Sequence, residues 1–520
     1  MGTPTPTTWA RVGRRWLDVG RQVTRVVTTT TSRFASASRT PPGPAAAAVR
    51  EASLRGYLRP GCALAAATDS LHHHHHEKSF ESLGLSGSIL EALNEIGLDS
   101  PSEIQAKAIE GILRGGPKMD ALGQNGILLA SQTGSGKTLA YLLPIVQQIK
   151  QWEEYEGRSK PKRPRCIVVA PTQELVEQIH SVAKTIGHVV KFSSSMASAR
   201  AKIGQQKKAL ERPTDVLVGT PNRILRLNRE GHAWFGDCAF LVLDECDLLL
   251  GEDYVGEVSK IVQPVVTKER RAKVVMVTAS ATKRVRTYLR EDLGGGIEAE
   301  TEGLHRAVGS ARHHFIAQGQ NDKLELLEQT VLPHVSDLSK NAHGLVFCNT
   351  LDSCRAVEHY MQNNGFRSFC LHGSVPNDQR KGVIGDFLGS QSGILITTDL
   401  AARGLDFGGK VKYVVNFDFP HSKVDYLHRT GRTARANAAG KVYSLVRGRD
   451  RRLAKEIELA VGRKETIEEK PLHRAATRAE GDRGARGKFG GRGGGQGRGR
   501  GAGRRGGGPG EGRGRKDRSR

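Results

Sequence analysis

One short stretch constrains this chain more than any other: the apolar run GILLA leads directly into SQTGSGKT, and LAYLLPIVQQI follows. A buried strand, a glycine-containing turn and a helix start place backbone N–H groups around a phosphate chain, and the helix dipole adds positive potential. We predict that Lys137 reaches the β and γ phosphates of a nucleotide and that Thr138 holds Mg²⁺. A strict phosphate-binding loop has glycine where Ser131 stands, so the flanking strand and helix carry the prediction. The predicted loop consists of Ser131, Gln132, Thr133, Gly134, Ser135, Gly136, Lys137 and Thr138.

A second apolar run, FLVL, ends in the acidic pair Asp244 and Glu245. A nucleoside triphosphatase needs a carboxylate on Mg²⁺ and a group that positions the attacking water, both at the end of a neighbouring strand. Two carboxylates at the end of a buried strand are costly without a cation partner, which argues against a merely structural role. We therefore predict that Asp244 binds the metal and that Glu245 positions the water.

Short apolar runs alternate with longer amphipathic stretches between residue 80 and about residue 460. Continuous apolar strands separated by helices indicate parallel sheets with helices on both faces. The fold class is therefore α/β, with two domains and a cleft between them, and the division lies within 302–320, where no strong periodicity is present. The predicted domains are 77–305 and 306–465, flanked by 1–76 and 466–520. The predicted strands are GILLA, CIVVA, VLVGT, FLVLDE, KVVMVTA, HGLVFCN, FRSFCLHG, GILITTD, VKYVVNF and GKVYSLV.

Basic residues are concentrated at the two ends of the chain, whose formal net charge is +25. Residues 1–76 hold ten Arg, no Lys and three acidic residues, and an amphipathic basic helix is predicted from Trp9 onward. This composition is typical of a targeting peptide for the chloroplast stroma or the mitochondrial matrix, with a disordered or membrane-surface arm as the alternative. The choice between the two organelles stays open.

The last forty residues contain eighteen Gly and eleven Arg. Such a segment cannot bury enough apolar area to offset its chain entropy, so we expect 466–520 to be disordered. Arginine contacts phosphates and stacks on bases, which favours RNA binding with little sequence preference over a purely solubilising role.

Several chemistries find no support in the sequence. The seven cysteines form no CxxC pair and no zinc spacing, which indicates reduced thiols in a non-secretory compartment. The run from His72 to His76 is assigned no function. No stretch approaches the roughly 18 apolar residues of a membrane span, so no membrane partner is expected.

The motifs in this order resemble the DEAD-box RNA helicases of helicase superfamily 2, in the variant whose metal motif reads DECD. The match runs from Phe80 to about Leu445. The resemblance implies two RecA-like domains, each a parallel sheet with helices on both faces, and ATP and Mg²⁺ as cofactors. It also implies RNA-stimulated ATP hydrolysis coupled to local unwinding of RNA by a monomeric enzyme, through contacts that read no sequence.

The resemblance implies roles for individual residues in the first half. Phe80 would cover the adenine ring, and Gln105 in GLDSPSEIQ would read its N6/N7 edge. Ser280 and Thr282 of SAT would couple hydrolysis to strand separation. PTQEL and TPNR would hold the RNA backbone, through Pro171, Thr172, Glu174, Thr220, Pro221 and Arg223.

The second half supplies TTDLAARGLDF and HRTGRTAR. By the same resemblance, Gly404 and Asp406 face the nucleotide, while Arg432 and Arg435 act as arginine fingers on the γ-phosphate. Because these arginines belong to the other domain, hydrolysis requires closure of the cleft. His428 joins the coupling residues, and the RNA path is completed by Gly373, Arg380 and Thr398.

Three departures from the family pattern lie on the RNA side: Gln173 replaces Arg in PTREL, Asn222 replaces Gly in TPGR, and KFSSSMASARAKIG lacks the usual GG. They leave a second hypothesis open, an ATP-gated RNA clamp that barely unwinds. A DNA translocase fits poorly, because the adenine-reading motif and the Arg/Gly-rich tail both resemble the RNA branch.

The amino-acid sequences of three further segments suggest a biological setting. HRTGRTAR, VFCNTLDSCRAVEHY and FDFP resemble an organellar subgroup associated with ribosomal RNA maturation and ribosome assembly. Together with the predicted targeting peptide, this makes ribosomal RNA and ribosomal precursors the preferred partners, by analogy rather than from the fold.

Overall fold

The computed structural model describes residues 78–114, 124–199, 201–267, 272–335, 342–402, 404–405, 407–434 and 438–467. The predicted targeting segment, the histidine run and residues 468–520 of the predicted disordered tail lie outside the described residues, whereas Thr466 and Ile467, which were expected to be disordered as well, are described and Ile467 is buried. Residues 115–123, most of the stretch GGPKMDALGQNG that precedes the predicted phosphate loop, also lie outside the described residues.

The first half folds around a parallel sheet. Its strands are β1 Gly126–Ala130, β2 Cys166–Val169, β3 Ser194–Ala197, β4 Val216–Gly219, β5 Phe240–Asp244, β6 Lys273–Thr278 and β7 Gly296–Glu300. They lie in the order β3-β4-β2-β5-β6-β1-β7, and every recorded pairing is parallel. The helices are α1 Ser88–Glu95, α2 Glu103–Arg114, α3 Lys137–Glu156, α4 Gln173–Val190, α5 Ile203–Leu210, α6 Pro221–Arg229, α7 Cys246–Leu249, α8 Val255–Val266 and α9 Lys283–Glu291.

The second half repeats this plan. Its strands are β8 Ala311–Ala317, β9 His343–Cys348, β10 Ser368–Leu371, β11 Gly393–Thr398, β12 Val411–Asn416 and β13 Gly440–Val446. Their order is β10-β11-β9-β12-β13-β8, again parallel throughout. The helices are α10 Lys323–Val335, α11 Leu351–Asn363, α12 Asn377–Gly389, α13 Asp399–Ala402, α14 Lys423–Thr430 and α15 Arg451–Gly462, with a 3₁₀ turn at Gly448–Asp450.

Alternate residues of a central strand serve two different cores. In β1, Ile127 and Leu129 belong to one hydrophobic cluster, whereas Leu128 and Ala130 belong to the cluster on the opposite face. Successive side chains of a strand point to opposite faces, so a sheet covered by helices on both faces needs apolar residues at every position. The α/β fold class, with one such sheet in each half, is confirmed.

Register brings three loops to one edge of the first sheet. Ala130 pairs with Thr278, and Asp244 pairs with Val277, because β1, β6 and β5 are neighbours. The carboxyl ends of these parallel strands therefore meet. The loop from Ser131, the acidic pair and the SAT segment all begin there.

The described residues contain no helix that combines the length and the apolar character that crossing a membrane requires.

Candidate nucleotide and nucleic-acid site

The predicted phosphate loop lies between β1 and α3, with α3 beginning at Lys137 itself. Gly134 and Gly136 have φ of 80° and 85°, left-handed values that glycine adopts without a steric penalty. Lys137 Nζ donates to the carbonyl oxygens of Ser131 at 2.8 Å and Gln132 at 2.9 Å. The ammonium group is thus held inside the loop, where a phosphate chain would lie.

Ser131, at the position where the strict motif has glycine, is fully buried. Its Oγ lies 2.6 Å from the Oγ of Ser135, so the extra hydroxyl has a hydrogen-bond partner within the loop. The departure from the strict motif is therefore accommodated by a neighbouring serine.

Asp244 ends β5 with its carboxylate almost fully enclosed, at 4% exposure. Tyr141 Oη donates to Oδ2 at 3.0 Å, and the Glu245 backbone N–H donates to Oδ1 at 2.9 Å. Burial, reinforced by the neighbouring Glu245, raises the pKa of Asp244 to about 6, although Lys137 opposes the shift. A buried carboxylate with a raised pKa is a site that a cation would stabilise.

Glu245 has φ of 53° and ψ of 51°, the left-handed conformation that residues other than glycine adopt rarely. Strain of this kind persists where the surrounding structure enforces it, and it is common at functional sites.

These groups face one cavity of about 650 Å³ between the two halves. Lys137, Thr138, Asp244 and Glu245 line it from the first half, and Arg432 lines it from the second. Within the described residues no group of three His, Cys, Asp or Glu side chains could hold a metal alone. An ion held by Thr138 and Asp244 would take its other ligands from phosphate oxygens and water, which is how Mg²⁺ is bound beside nucleotides. The residues present therefore fit MgATP.

Arg432 is 5% exposed, and its Nη1 donates to the Leu405 carbonyl at 2.9 Å. Gly404 has φ of 73°, and a Cβ on it would lie 2.7 Å from Leu175 Cβ and 2.9 Å from Thr172 Oγ1. The two halves thus approach closely at Gly404. Asp406 and Arg435, the other predicted nucleotide contacts of this half, lie outside the described residues.

Gln105 contacts the phosphate loop. Its Oε1 accepts from the Ser102 N–H at 2.8 Å, and its Nε2 donates to the Gly136 carbonyl at 3.4 Å. Ser102 Oγ also donates to the Ser135 carbonyl at 2.9 Å. Phe80 is 4% exposed and belongs to the core beside α3. The segment carrying Gln105 therefore braces the loop from outside.

The SAT segment, the DECD segment and the second half meet at Asp247. Its Oδ2 lies 3.0 Å from Ser280 Oγ and 3.1 Å from His428 Nε2, and its Oδ1 accepts from Thr278 Oγ1 at 2.8 Å. Ser280 and His428, both predicted as coupling residues, are thus joined by a third residue. Thr282 differs, because its hydroxyl accepts from Val285 N–H and caps α9.

A second bridge joins the phosphate loop to the other half. Thr133 Oγ1 donates to the Gly431 carbonyl at 3.0 Å, and a Cβ on Gly431 would lie only 2.2 Å from that hydroxyl oxygen. A side chain at this position would force the two surfaces apart.

Two predicted RNA contacts are paired with each other. Arg380 Nε donates to Glu174 Oε1 at 2.7 Å, and both residues are 8% exposed. Lys381 and Glu177 form a second, more exposed ion pair at 2.8 Å beside it. In this arrangement the guanidinium and the carboxylate hold α12 against α4 across the cleft.

The remaining predicted RNA contacts are spread over both halves. Thr172 caps α4 by accepting from the Leu175 N–H, and Thr220 precedes Pro221 at the start of α6. Burial and nearby Arg226 lower the pKa of the Arg223 guanidinium. Other placements are Pro171 buried before α4, Gly373 exposed with open space where a Cβ would stand, and Thr398 at the end of β11.

Sequence reasoning missed Arg429, which lies within HRTGRTAR and is 1% exposed. Its Nε and Nη2 each donate to Asp399 at 2.6 Å, Nη2 also donates to Asn349 Oδ1, and Nη1 donates to the Asp418 carbonyl. Asp247 was also missed, although it stands two residues after Glu245 of the predicted acidic pair. Charged residues two or three positions from predicted contacts were the available signal.

Comparison with known families gives two matches. The model described as DEAD/DEAH box helicase matches residues 102–288, and the model described as Helicase conserved C-terminal domain matches residues 322–437. The DEAD-box ATP-dependent RNA helicase 39 of Arabidopsis thaliana is 42% identical over 400 residues, which cover 75% of this chain and 62% of that protein. The Probable ATP-dependent RNA helicase DDX47 of Homo sapiens is 31% identical over 74% of this chain and 80% of its own length. The match thus spans less than two thirds of the first of these relatives.

Solved structures give the same fold. S. cerevisiae Dbp5 bound to RNA and ADP BeF3 is similar with a TM-score of 0.63 and 25% identity, over 75% of this chain and 94% of that one. The DEAD-box helicase Mss116 bound to ssRNA and UDP-BeF has a TM-score of 0.64 at 21% identity, over 75% and 79% of the two chains.

Proposed function

The chain belongs to the DEAD-box family of ATP-dependent RNA helicases, and from this premise we propose that it hydrolyses ATP when RNA is bound and couples hydrolysis to local opening of RNA duplexes. One observation carries the proposal. Asp247 joins the SAT segment to His428 across the cleft, beside a cavity that contains both Lys137 and Arg432. The groups for hydrolysis and the groups for domain closure form one assembly.

The chain's own residues supply the chemistry of hydrolysis. Lys137 replaces its loop carbonyl contacts with contacts to the β and γ phosphates, and Glu245 orients the attacking water. Arg432 stabilises the charge that spreads over the transferred phosphoryl oxygens, a role that the predicted finger Arg435 would share. When bound to Thr138 and Asp244, Mg²⁺ neutralises phosphate charge.

Base selection is proposed for Phe80 and Gln105. The Gln105 amide can offer a donor and an acceptor to the adenine edge, and its contact with Gly136 links base recognition to the geometry of the phosphate loop. A preference for ATP over GTP in turnover, lost in Gln105→Ala, is the expected result. Equal use of both nucleotides by the wild-type protein would contradict this role.

RNA is proposed to lie along the helix starts and loops that carry Thr172, Thr220, Gly373 and Thr398. Hydroxyl and backbone N–H groups at such positions hold phosphates without reading bases, so the folded part selects no sequence. The Arg/Gly-rich segment 481–520 adds affinity through its charge. Target choice then depends on that segment or on a partner protein.

We further propose that the protein acts inside an organelle on ribosomal RNA. The support is the composition of residues 1–76 and the wording of the second-half motifs. Fusing residues 1–76 to a fluorescent protein tests the first part. Import into chloroplasts or mitochondria with removal of the segment supports it, and diffuse fluorescence outside both contradicts it.

Steady-state ATP hydrolysis against single-stranded RNA concentration tests the main proposal, with the chain beginning at about residue 77. We expect hydrolysis to rise with RNA and to be lost in Lys137→Ala. Lys150→Ala is the matched control, because Lys150 lies on the same helix but does not line the cavity, and its side chain contacts Glu153 and the Lys191 carbonyl instead. No stimulation by RNA in the wild-type protein would contradict the proposal.

Strand displacement on a short RNA duplex separates a helicase from an ATP-gated clamp. The Gln173 departure and the buried pairing of Glu174 with Arg380 are the observations that favour a clamp. Displacement that requires hydrolysable ATP supports the helicase. RNA-stimulated hydrolysis and ATP-dependent RNA retention without displacement would assign the clamp instead.

A further inference from the structure

His305 stands between the two sheets, after β7 and before β8, in a strained conformation. Its φ is 59°, in the left-handed region. Histidine is among the residues enriched there, but the conformation still needs surrounding contacts to hold it. Short turns flank it, since Leu304 N–H donates to the Thr301 carbonyl and Arg306 N–H donates to the Gly303 carbonyl. The linker is therefore shaped around this residue.

The side chain of His305 contacts the SAT segment. Its Nε2 accepts a hydrogen bond of 2.9 Å from the backbone N–H of Ala281, which is 4% exposed. A backbone N–H can only donate, so Nε2 is the unprotonated nitrogen of the ring. Ala281 follows Ser280, whose hydroxyl binds Asp247. The imidazole thus fixes the backbone one residue from the contact that joins the two domains.

The backbone of His305 contacts the C-terminal end of the described chain. Its carbonyl accepts a hydrogen bond of 2.7 Å from the N–H of Ile467, which is 2% exposed. After α15 the chain turns through Lys464, with φ of 55°, and Glu465 N–H donates to the Ala460 carbonyl. This turn directs Ile467 back onto the linker.

Ile467 is anchored by its own side chain as well. It belongs to the apolar cluster formed with Phe419, Tyr426 and Ile457 of the second domain. The docked segment 464–467 is therefore fixed to the second domain and, through His305, to the SAT segment of the first. The Arg/Gly-rich sequence 481–520 follows it along the chain.

His305 also lines the small pocket at the inter-domain contact. The other lining residues include Gln132 and Thr133 of the phosphate loop and His428 and Gly431 of the second domain. A change in the position of His305 would therefore disturb both contacts across the cleft, that of Thr133 with Gly431 and that of Asp247 with His428.

We infer that His305 is a positioning residue that couples docking of the C-terminal segment 464–467 to the SAT segment, and so to RNA-stimulated hydrolysis. The inference rests on the proposed RNA-dependent ATPase and adds a regulatory contact to it. His305 acts through its contact with Ala281, the neighbour of Ser280, and touches no reacting atom itself. Energetic coupling between two sites can be carried by a chain of hydrogen bonds, and His305 bonds both Ile467 of the docked segment and Ala281 of the SAT segment.

Two substitutions in the full chain separate a positioning role from a structural one. His305→Leu removes the acceptor and keeps an apolar side chain, whereas His305→Gln keeps an acceptor oxygen at a similar reach. We expect kcat with saturating RNA to fall about tenfold in His305→Leu, with KM for ATP and Tm near wild type, and to recover largely in His305→Gln. Wild-type kcat in both variants would overturn the inference. An equal fall in both, accompanied by a loss of Tm, would show a structural role only.

The contact with Ile467 is tested by a double-mutant cycle. Ile467→Pro lacks the N–H that binds the His305 carbonyl, and Ile467→Val is its control because it keeps both the N–H and an apolar side chain. If the segment acts through His305, then His305→Leu and Ile467→Pro together reduce kcat no more than the stronger single change. A double variant whose fold-loss of kcat equals the product of the two single fold-losses would overturn the coupling. RNA stimulation of the wild-type protein is measured first, so failure of the proposed function is distinguished from failure of this inference.

Discussion

His428 Nε2 of the second domain donates to Asp247 Oδ2 of the first, at 3.1 Å, and the same oxygen accepts from Ser280 Oγ. His428 and Asp247 are both nearly inaccessible, with side chains 6% and 8% exposed. A hydrogen bond to a charged group in such a place is worth about 1.5–3 kcal/mol. This contact exists only while the domains are together, so its free energy favours the closed arrangement.

Removing the imidazole should uncouple RNA binding from hydrolysis. We expect His428→Ala to lower RNA-stimulated kcat by about 10- to 100-fold, the factor that corresponds to the lost hydrogen bond, with little change in the Kd of ATP. His421→Ala is the matched control, because His421 is exposed on the same domain. Steady-state kinetics and nucleotide titration provide the measurements. An equal loss in both variants, or a loss of ATP affinity instead of kcat, would contradict the role.

The buried pair Glu174 and Arg380 should act as a latch between the domains. Removing one member of a buried ion pair leaves the other charge buried without its partner, which destabilises the structure by about 3–5 kcal/mol. Separation of the domains would re-expose Glu174 to water, so we expect Arg380→Ala to favour the open state rather than to unfold the protein. Energy transfer between dyes on the two domains measures the populations of the open and closed states.

A neighbouring residue gives the control for the latch. Lys381 is 64% exposed in its ion pair with Glu177, and exposed pairs contribute at most about 1 kcal/mol. Lys381→Ala should therefore leave the distance distribution close to wild type. The exchange of Glu174→Arg with Arg380→Glu should restore part of the closed population. If Arg380→Ala and Lys381→Ala open the domains equally, the latch is not specific.

The strands that the sequence did not predict share one position. β3, β7 and β8 are all at the edge of a sheet, with sequences SSMA, GIEAE and ARHHFIA. An edge strand is covered less completely than a central one, so polar residues are tolerated and no continuous apolar run forms. β8 lies within 302–320, where no strong periodicity was found. The central strands, buried on both faces, were all predicted correctly.

The residues of the candidate site also divide into those that the sequence predicts and those that it does not. The residues assigned to phosphate and metal belong to local motifs, so Lys137 and Asp244 could be predicted together, and both line one cavity. Partners across the cleft could not be predicted in the same way. Glu174 and Arg380 are 206 residues apart, and both were assigned to RNA rather than to each other. Only the relative placement of the two domains reveals that pairing.

Binding of Mg²⁺ with nucleotide should weaken in mild acid because of Asp244. Burial raises the pKa of this carboxyl to about 6, so its proton competes with the metal below that pH. A raised pKa means that the folded apo protein binds this proton more tightly than the unfolded chain. Protonation therefore favours the apo state and opposes the metal-bound state.

Titrations of Mg²⁺ against a fluorescent ATP analogue at pH 5, 6, 7 and 8 test this. We expect apparent Mg²⁺ affinity to be nearly constant above pH 7 and to fall by up to tenfold per pH unit below about pH 6. Asp244→Asn should show weak binding at every pH, which separates this carboxyl from protonation of the nucleotide. An unchanged affinity from pH 8 to pH 5 would contradict the assignment.

Arg432 and Arg429 stand three residues apart and should fail in different ways. Arg432 faces the cavity, so Arg432→Lys should lower kcat by about 10³–10⁵ while Tm stays near wild type. Arg429 is buried against Asp399, so Arg429→Lys should lower Tm, because lysine cannot reproduce its forked hydrogen bonds. Thermal unfolding and ATP hydrolysis of both variants give the comparison. A Tm loss in Arg432→Lys that matched Arg429→Lys would show that both are structural.

Gln173 offers a gain-of-function test of the RNA surface. It stands at the first turn of α4, where the family pattern has Arg, and its buried Oε1 has no hydrogen-bond partner among the described residues. An arginine there would add one phosphate contact. We expect Gln173→Arg to bind single-stranded RNA more tightly and to steepen the slope of log affinity against log salt by about 0.7–0.9.

Gln173→Met is the control, since it removes the unpaired oxygen without adding charge and should leave the slope unchanged. Tighter binding by both variants with no change in slope would mean that desolvation of the amide, and not a phosphate contact, limits the affinity at this position.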